Sequence, residues 1–185
     1  MLFGTILKEE IVIIENLHKK YYSKDLYTIE GTVWSNLFDC EMEVRIDDET
    51  LIEYAEKCAQ AMNSLSDETI DIICRAAKKY CLKMAELLAE TGGSLDEEWF
   101  DMKTKVDENS PAREILKSVW LDLIIEKPKD NSIGYCLGGA CGWEPEHGIE
   151  ILIKDNKVLY VGAEEGHSAW SDFPKDDDWN FVNLI

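Results

Sequence analysis

Apolar and polar residues alternate with a period of two in the N-terminal part of the chain. In the segment Phe38–Ile46 every second residue is apolar and the residues between them are charged, which is typical of a strand with one buried face. The aromatic and β-branched segment Leu26–Trp34 predicts a second strand beside it. Residues 1–47 therefore favour strands, and two further candidates precede these, Ile11–Leu17, buried on both faces, and Leu2–Leu7.

The period changes to that of a helix over residues 48–92. Apolar residues recur at intervals of three and four in Leu51–Met62 and, as a longer stripe, in Ile70–Leu88. Gly92–Gly93 favours an end of the second helix. The short link Asn63–Leu65 predicts that the two helices form an antiparallel hairpin. The candidate N-caps are Asp47 or Asp48 for the first helix and Ser66 for the second.

The period of a strand returns in the second half of the chain. Residues 94–109 predict a surface connection with one helical turn, and Ser110–Pro111 opens a short helix with the serine as its N-cap. Residues 110–162 predict this helix and a four-stranded antiparallel meander. Within the meander, Gly138–Gly139 favours a bulge and Asp155–Asn156 a tight hairpin turn. An acidic, aromatic tail follows, residues 163–185.

Strands, then two helices, then strands again indicate an α+β fold and not alternating β–α–β units. We expect an antiparallel or mixed sheet with the two-helix hairpin packed on one of its faces. The length of 185 residues fits a single domain, residues 1–185. The other face of the sheet, or its ends, then remains for a partner.

The chain is strongly acidic, with 38 Asp and Glu residues against 19 Lys and Arg residues and a net charge of −19. This charge argues against nucleic acid and against anionic membrane surfaces as partners, because both would be repelled. It favours a basic protein partner. The apolar fraction of 45% is ordinary for a folded protein, which excludes a disordered acidic chain.

The cysteines lie inside apolar periodic segments and not in a small loop-rich framework. The sequence shows neither an export signal nor an apolar run of the roughly 18 residues that a membrane span needs. We therefore expect a cytoplasmic protein with reduced, buried thiols. The six cysteines are Cys40, Cys58, Cys74, Cys81, Cys136 and Cys141.

The densest group of chemically active residues is Cys136–Gly148, with two thiols, two carboxylates, an imidazole and an indole. Cys136, Cys141 and His147 are candidate ligands for zinc. Two residues five apart in a strand point to opposite faces, however, unless the Gly138–Gly139 bulge corrects the phase. Buried structural thiols are the alternative, and we expect no cofactor.

Acid–base chemistry is a second interpretation of the same group. Glu144, Glu146 and His147 could serve proton transfer, because a carboxylate beside an imidazole can tune its pKa. The alternative is a turn between two strands. The motifs of nucleotide-binding loops, nucleophile elbows and metalloprotease helices are absent from the sequence. His167–Ser168 near Asp172 supplies the residue types of a catalytic triad but not its geometry.

Carboxylates alternate with aromatic residues in the tail. Such a pattern can bind a basic protein, because aromatic side chains anchor the contact and charges steer it. The alternative is a solvated acidic end whose aromatic residues fold back on the core. The candidate partner-binding residues here are Trp170, Asp176, Asp177 and Asp178.

The segment Cys141–Gly162 carries the motif Trp-Glu-Pro-Glu-His-Gly, followed by a hairpin that ends in Val-Gly. It resembles small bacterial domains of unknown function with a similar strand entry, some of whose relatives are regarded as immunity-type proteins beside polymorphic toxins. The resemblance implies an α+β fold and a bacterial origin, and it brings no catalytic residues. It marks further candidates for partner binding, Trp143, Glu144, Glu146 and His147.

These observations together favour a non-enzymatic interaction protein, of the immunity type, that uses acidic surface to bind a basic partner. The alternative from another class is a small enzyme or a metal-dependent binding domain centred on the segment from Cys136 to His147. A purely structural subunit is a third interpretation. No pattern in the sequence indicates an oligomeric state.

Overall fold

The computed structural model describes residues 13–24 and 26–185. Its central element is a seven-stranded sheet in which the strands lie in chain order, all neighbours being antiparallel except the third and fourth strands, which are parallel. The α+β fold and the mostly antiparallel sheet are therefore confirmed. The strands are β1 (Glu15–Tyr21), β2 (Tyr27–Ser35), β3 (Cys40–Asp47), β4 (Val119–Ile125), β5 (Gly134–Cys141), β6 (Glu144–Lys154) and β7 (Lys157–Gly162).

Two α-helices, α1 (Ile52–Asn63) and α2 (Asp67–Glu90), and a 3₁₀ helix (Ala112–Ser118) connect β3 to β4. Parallel neighbours need such a long connection, because the chain must return to the end of the sheet from which it started. Helix α1 contacts β2 and β4, whereas α2 contacts β6, β7, this 3₁₀ helix and a second one, Phe181–Leu184. The packing of α1 and α2 against each other as a hairpin stays a prediction.

The predicted caps are correct for α2 only. The Ser66 hydroxyl accepts a hydrogen bond from the Thr69 amide at 3.1 Å. Helix α1 instead begins after Leu51 without a side-chain cap, so neither Asp47 nor Asp48 serves it. Pro111 occupies the N-cap position of the first 3₁₀ helix, because the Ser110 hydroxyl is bonded to the backbone of Asp107. The connection at 94–109 contains turns and no helix.

Replacement of Ser66 by alanine is expected to lower the free energy of unfolding by about 1 kcal/mol, because it removes the acceptor for an amide at the start of α2. Urea-induced unfolding of the variant measures this change. Ser23→Ala is the control, since Ser23 is exposed and its hydroxyl forms no hydrogen bond with the residues that the structure describes. We expect its effect to stay within about 0.5 kcal/mol of zero. Equal effects of the two substitutions would contradict the capping role.

One face of the sheet, the core face, is buried together with the helices in one hydrophobic core. Val44 and Leu123 are level with each other in the parallel pair and are fully buried there. Cys58 of α1 and Cys81 of α2 belong to the same core, where burial raises the pKa of each thiol to about 12. On each strand, the residues that alternate with the core-facing residues form the opposite face of the sheet, which we call the outer face.

The acidic tail covers part of the outer face. Ala169 lies so close to β5 that a side chain at Gly134 would meet its Cβ at 2.9 Å. The ring of Tyr160 on β7 lies 5.6 Å from that of Phe173. The Asn180 side chain then closes the free edge of β7, because it accepts from the amide of Val161 and donates to the carbonyl of Leu159. The tail is therefore an integral part of the fold.

The first described strand differs from its prediction. Of the candidate Ile11–Leu17, residues 11 and 12 lie outside the described residues, and so does the candidate Leu2–Leu7. Strand β1 begins at Glu15, and all seven of its residues are exposed, although burial on both faces was expected. Among the described strands, β1 lies at the edge of the sheet with β2 as its neighbour, which accounts for its exposure.

Candidate functional site

The motif that carries the family resemblance forms the turn from β5 into β6. Trp143 is fully buried, and its ring meets that of Tyr80 on α2 edge to face at a centroid distance of 5.8 Å. Such an aromatic pair stabilises the core through both its buried area and its geometry. Trp143 therefore fixes the hairpin against the helix and presents no surface to a partner.

Glu144 and His147 hold the backbone at the start of β6, directly after this turn. One carboxylate oxygen of the buried Glu144 accepts hydrogen bonds from the amides of Glu146, at 3.1 Å, and His147, at 3.3 Å. The same oxygen lies 3.3 Å from Nδ1 of His147, whose side chain is 62% exposed. A carboxylate that accepts two backbone amides is a structural anchor for the turn. Glu146 and His147 are exposed, and of the motif's polar side chains these two are accessible to a partner.

The predicted ligands for zinc are not brought together. Cys136 is opposite Leu152, and both lie on the outer face, whereas Cys141 is buried in the core. Within the described part of the chain, the three potential ligands that lie within 4.8 Å of one another are Glu144, Glu146 and His147. Burial raises the pKa of the Cys141 thiol to about 12 and that of Cys136 far above its ordinary value. High pKa values disfavour the thiolate that binds metal.

A second pair of a carboxylate and an imidazole, Glu150 and His167, was not anticipated. The Glu150 side chain is 2% exposed, and its two oxygens accept from the amides of Gly166, at 3.0 Å, and His167, at 3.2 Å. Nδ1 of His167 lies 3.0 Å from the same carboxylate. Burial raises the pKa of Glu150, and the nearby imidazole and amides partly oppose this shift. Glu150 thus repeats, on the outer face, the arrangement of Glu144.

The surroundings of this pair favour a structural role as well. The cavity beside it measures about 10 Å³ and is lined by residues that include Cys136, His167 and Ser168, which leaves space for about one water molecule. The Ser168 hydroxyl accepts from the amide of Trp170 at 3.2 Å. A cavity of this size does not admit a substrate. The pair therefore fastens the tail to β6.

The acidic residues of the tail are placed differently from one another. Asp176 and Asp178 are exposed, whereas Asp177 is half-buried and accepts from the amide of Trp179 at 2.9 Å. Trp170 is half-buried on the outer face, and the Lys154 ammonium lies 5.4 Å from its ring centroid. Asp176 and Asp178 are thus available to a partner, and Trp170 is largely occupied by contacts within the chain.

These features define an α+β domain whose hairpin and tail are each held by a buried carboxylate. The chain belongs to the family described as "Domain of unknown function (DUF6985)", which matches residues 13–168. Neither a curated protein nor a solved structure matches the chain. In the part of the chain that the structure describes, every helix is too short or too polar to cross a membrane.

Proposed function

We propose that this domain is a non-enzymatic interaction protein that binds a basic protein partner. One observation carries the proposal: the exposed carboxylates of the tail project from an ordered segment and are not neutralised. Asp172, Asp176 and Asp178 form no ion pair with any residue that the structure describes. Together with the net charge of −19, they give a negative potential that accelerates association with a cationic surface.

The backbone around these carboxylates is held in place before any partner arrives. The side-chain amide of Asn183 donates hydrogen bonds to the backbone carbonyls of Pro174, at 3.1 Å, and Asp177, at 3.2 Å. Asn180 fixes the same segment to β7. Since the loop is already ordered, binding costs less conformational entropy than it would for a flexible acidic tail. The partner would meet carboxylates in fixed positions with the exposed ring of Trp179 beside them.

An immunity role is the finer form of the proposal. In that case the basic partner is a toxin, and the domain inhibits it by covering its cationic cleft. The resemblance of the Trp-Glu-Pro-Glu-His-Gly turn to immunity-type relatives supports this form. The measurement specific to it is inhibition of the partner's activity by the purified domain at a one-to-one ratio.

Capture from a lysate of the native host, quantified at low and at moderate salt, tests the general proposal. We expect one basic protein to be enriched at low salt. Its capture should decrease at moderate salt, because salt screens exposed charges. The double variant Asp176→Lys and Asp178→Lys is expected to reduce this capture by about tenfold or more. Asp177 is left intact because its carboxylate binds the Trp179 amide.

The matched control is Asp96→Lys with Glu98→Lys. Both residues are exposed in the connection after α2, and either double variant changes the net charge of −19 by the same amount. Capture that falls equally in both variants would show a nonspecific charge effect and contradict a role for the tail. No enrichment at either salt would contradict the interaction itself.

A further inference from the structure

We propose that the uncovered part of the outer face binds lysine or arginine side chains of a basic polypeptide segment, with Trp34 and Trp120 holding the cations. This proposal rests on the proposed function, since it assumes a basic partner, and it adds a second surface, apart from the tail, and its chemistry. The tail covers β5, β6 and β7 near Gly134 and Tyr160. On β2 and β4, Trp34 and Trp120 remain 54% and 43% exposed.

The alternation of the strands places the two tryptophans on the same, outer face of the sheet. Trp34 is opposite Glu41, and Trp120 is opposite Ala140. The pairing of β3 with β4 joins Val44–Ile46 to Leu123–Ile125, and Glu41 and Trp120 precede these residues on their strands. Each indole therefore offers an exposed ring face to which a lysine or arginine can bind within the roughly 6 Å of a cation–π contact.

The charge available on this surface is negative. Glu41 and Glu43 are exposed, and neither forms an ion pair within residues 13–24 and 26–185. A cation on the same face, Arg45, is already paired with Asp122 at 2.7 Å. A lysine or arginine from a partner would therefore find both a ring face and an unpaired carboxylate, which is the combination that a desolvated cation needs.

The chain itself shows this chemistry at the margin of the surface. The Lys103 ammonium lies 5.4 Å from the ring centroid of Trp120 and 2.5 Å from a carboxylate oxygen of Asp101. Opposite Trp120, β5 presents the small, exposed residue Ala140. The surface beside the indole is therefore accessible to an extended segment. A nucleic acid would not fit, because its phosphates would meet Glu41 and Glu43.

Isothermal titration calorimetry with a hexa-arginine peptide tests the surface directly, with hexa-glutamate as the negative probe. We expect the wild-type protein to bind hexa-arginine, and Trp34→Ala and Trp120→Ala each to weaken the binding by about fivefold to tenfold, the effect of losing one cation–π contact. Trp99→Ala is the matched control, because Trp99 is 70% exposed in the connection after α2. Its affinity for the peptide should equal that of the wild type.

The same variants separate this proposal from the function on which it rests. Unchanged peptide affinity in both Trp34→Ala and Trp120→Ala, with an unaltered thermal transition, would overturn the docking surface. Should the basic host protein still be captured in a manner that depends on Asp176 and Asp178, the proposed function would survive that result. An equal loss in Trp99→Ala would also count against a specific role for the two tryptophans.

Discussion

Gly148→Ala is expected to lower the free energy of unfolding by more than about 4 kcal/mol, a loss that few single substitutions reach. Gly148 lies within β6 with φ +66, and a Cβ there would clash with the carbonyl oxygen of Gly139. The obstacle is backbone of the neighbouring strand, so no side-chain rotation relieves it. A shift of Gly148 would also disturb the bond that its carbonyl accepts from the Tyr80 hydroxyl at 3.2 Å.

Gly92→Ala separates the cost of the clash from the cost of the backbone conformation. Gly92 also has a positive φ, +83, but a Cβ there would meet nothing within 4 Å. Its replacement should therefore cost only the left-handed strain of an L-residue, about 1–2 kcal/mol. Urea-induced unfolding followed by far-UV circular dichroism measures both variants. Similar losses in the two would refute the close approach of Gly148 to Gly139.

Local patterns predicted the parts of the fold that local forces determine. The alternation in Phe38–Ile46 and the β-branched segment Leu26–Trp34 correspond to β3 and β2 within a few residues. Asp155 and Asn156 adopt φ values of +48 and +62, which are those of the tight hairpin turn that their short polar side chains favour. The bulge expected at Gly138–Gly139 is present as a register shift between Gly139 and Cys141.

Contacts between segments that are distant in the sequence could not be predicted from local patterns. The parallel pairing of β3 with β4 joins residues about eighty positions apart, and no local period encodes that choice. Trp143 is a candidate for partner binding in the sequence, but it is buried, because it packs against Tyr80 on a helix far away in the sequence. The same holds for Glu150, a charged residue that the alternation of β6 places on the outer face. It is buried there because the tail returns to cover it.

The uncovered part of the outer face around Trp34 and Trp120 could have been predicted from the sequence, although it was not. In the alternation of β2 and β4, Trp34 and Trp120 occupy the phase of the polar residues and not that of the core. A large aromatic residue in the solvent phase of a strand is a sign of either a covering segment or a binding surface. Choosing between them required the path of the tail, which covers one part of the outer face and leaves the other exposed.

Glu150→Ala is expected to destabilise the protein by about 3–5 kcal/mol, because it leaves the imidazole of His167 and the amides of Gly166 and His167 without their buried acceptor. Glu150→Gln keeps the shape but replaces the oxygen that accepts from the Gly166 amide, so a smaller loss of about 1–3 kcal/mol is expected. The control is Glu165→Ala, since the half-exposed Glu165 lies 3.8 Å from the same imidazole at the surface. Urea-induced unfolding of all three variants tests whether the buried carboxylate fastens the tail.

The pH dependence of stability gives an independent test of the burial of Glu150. Burial raises its pKa above the ordinary value of 4.5, so the folded protein keeps this proton to a higher pH than the unfolded chain does. The unfolded state then binds fewer protons between the ordinary and the raised pKa, and stability contributed by this group is lost as the pH rises through that window. Glu150→Gln cannot titrate. We therefore compare the free energy of unfolding of the wild type with that of Glu150→Gln. The wild-type value minus the variant value should decrease as the pH is raised above 4.5. A difference that increases with pH would show instead that the fold prefers the ionised carboxylate.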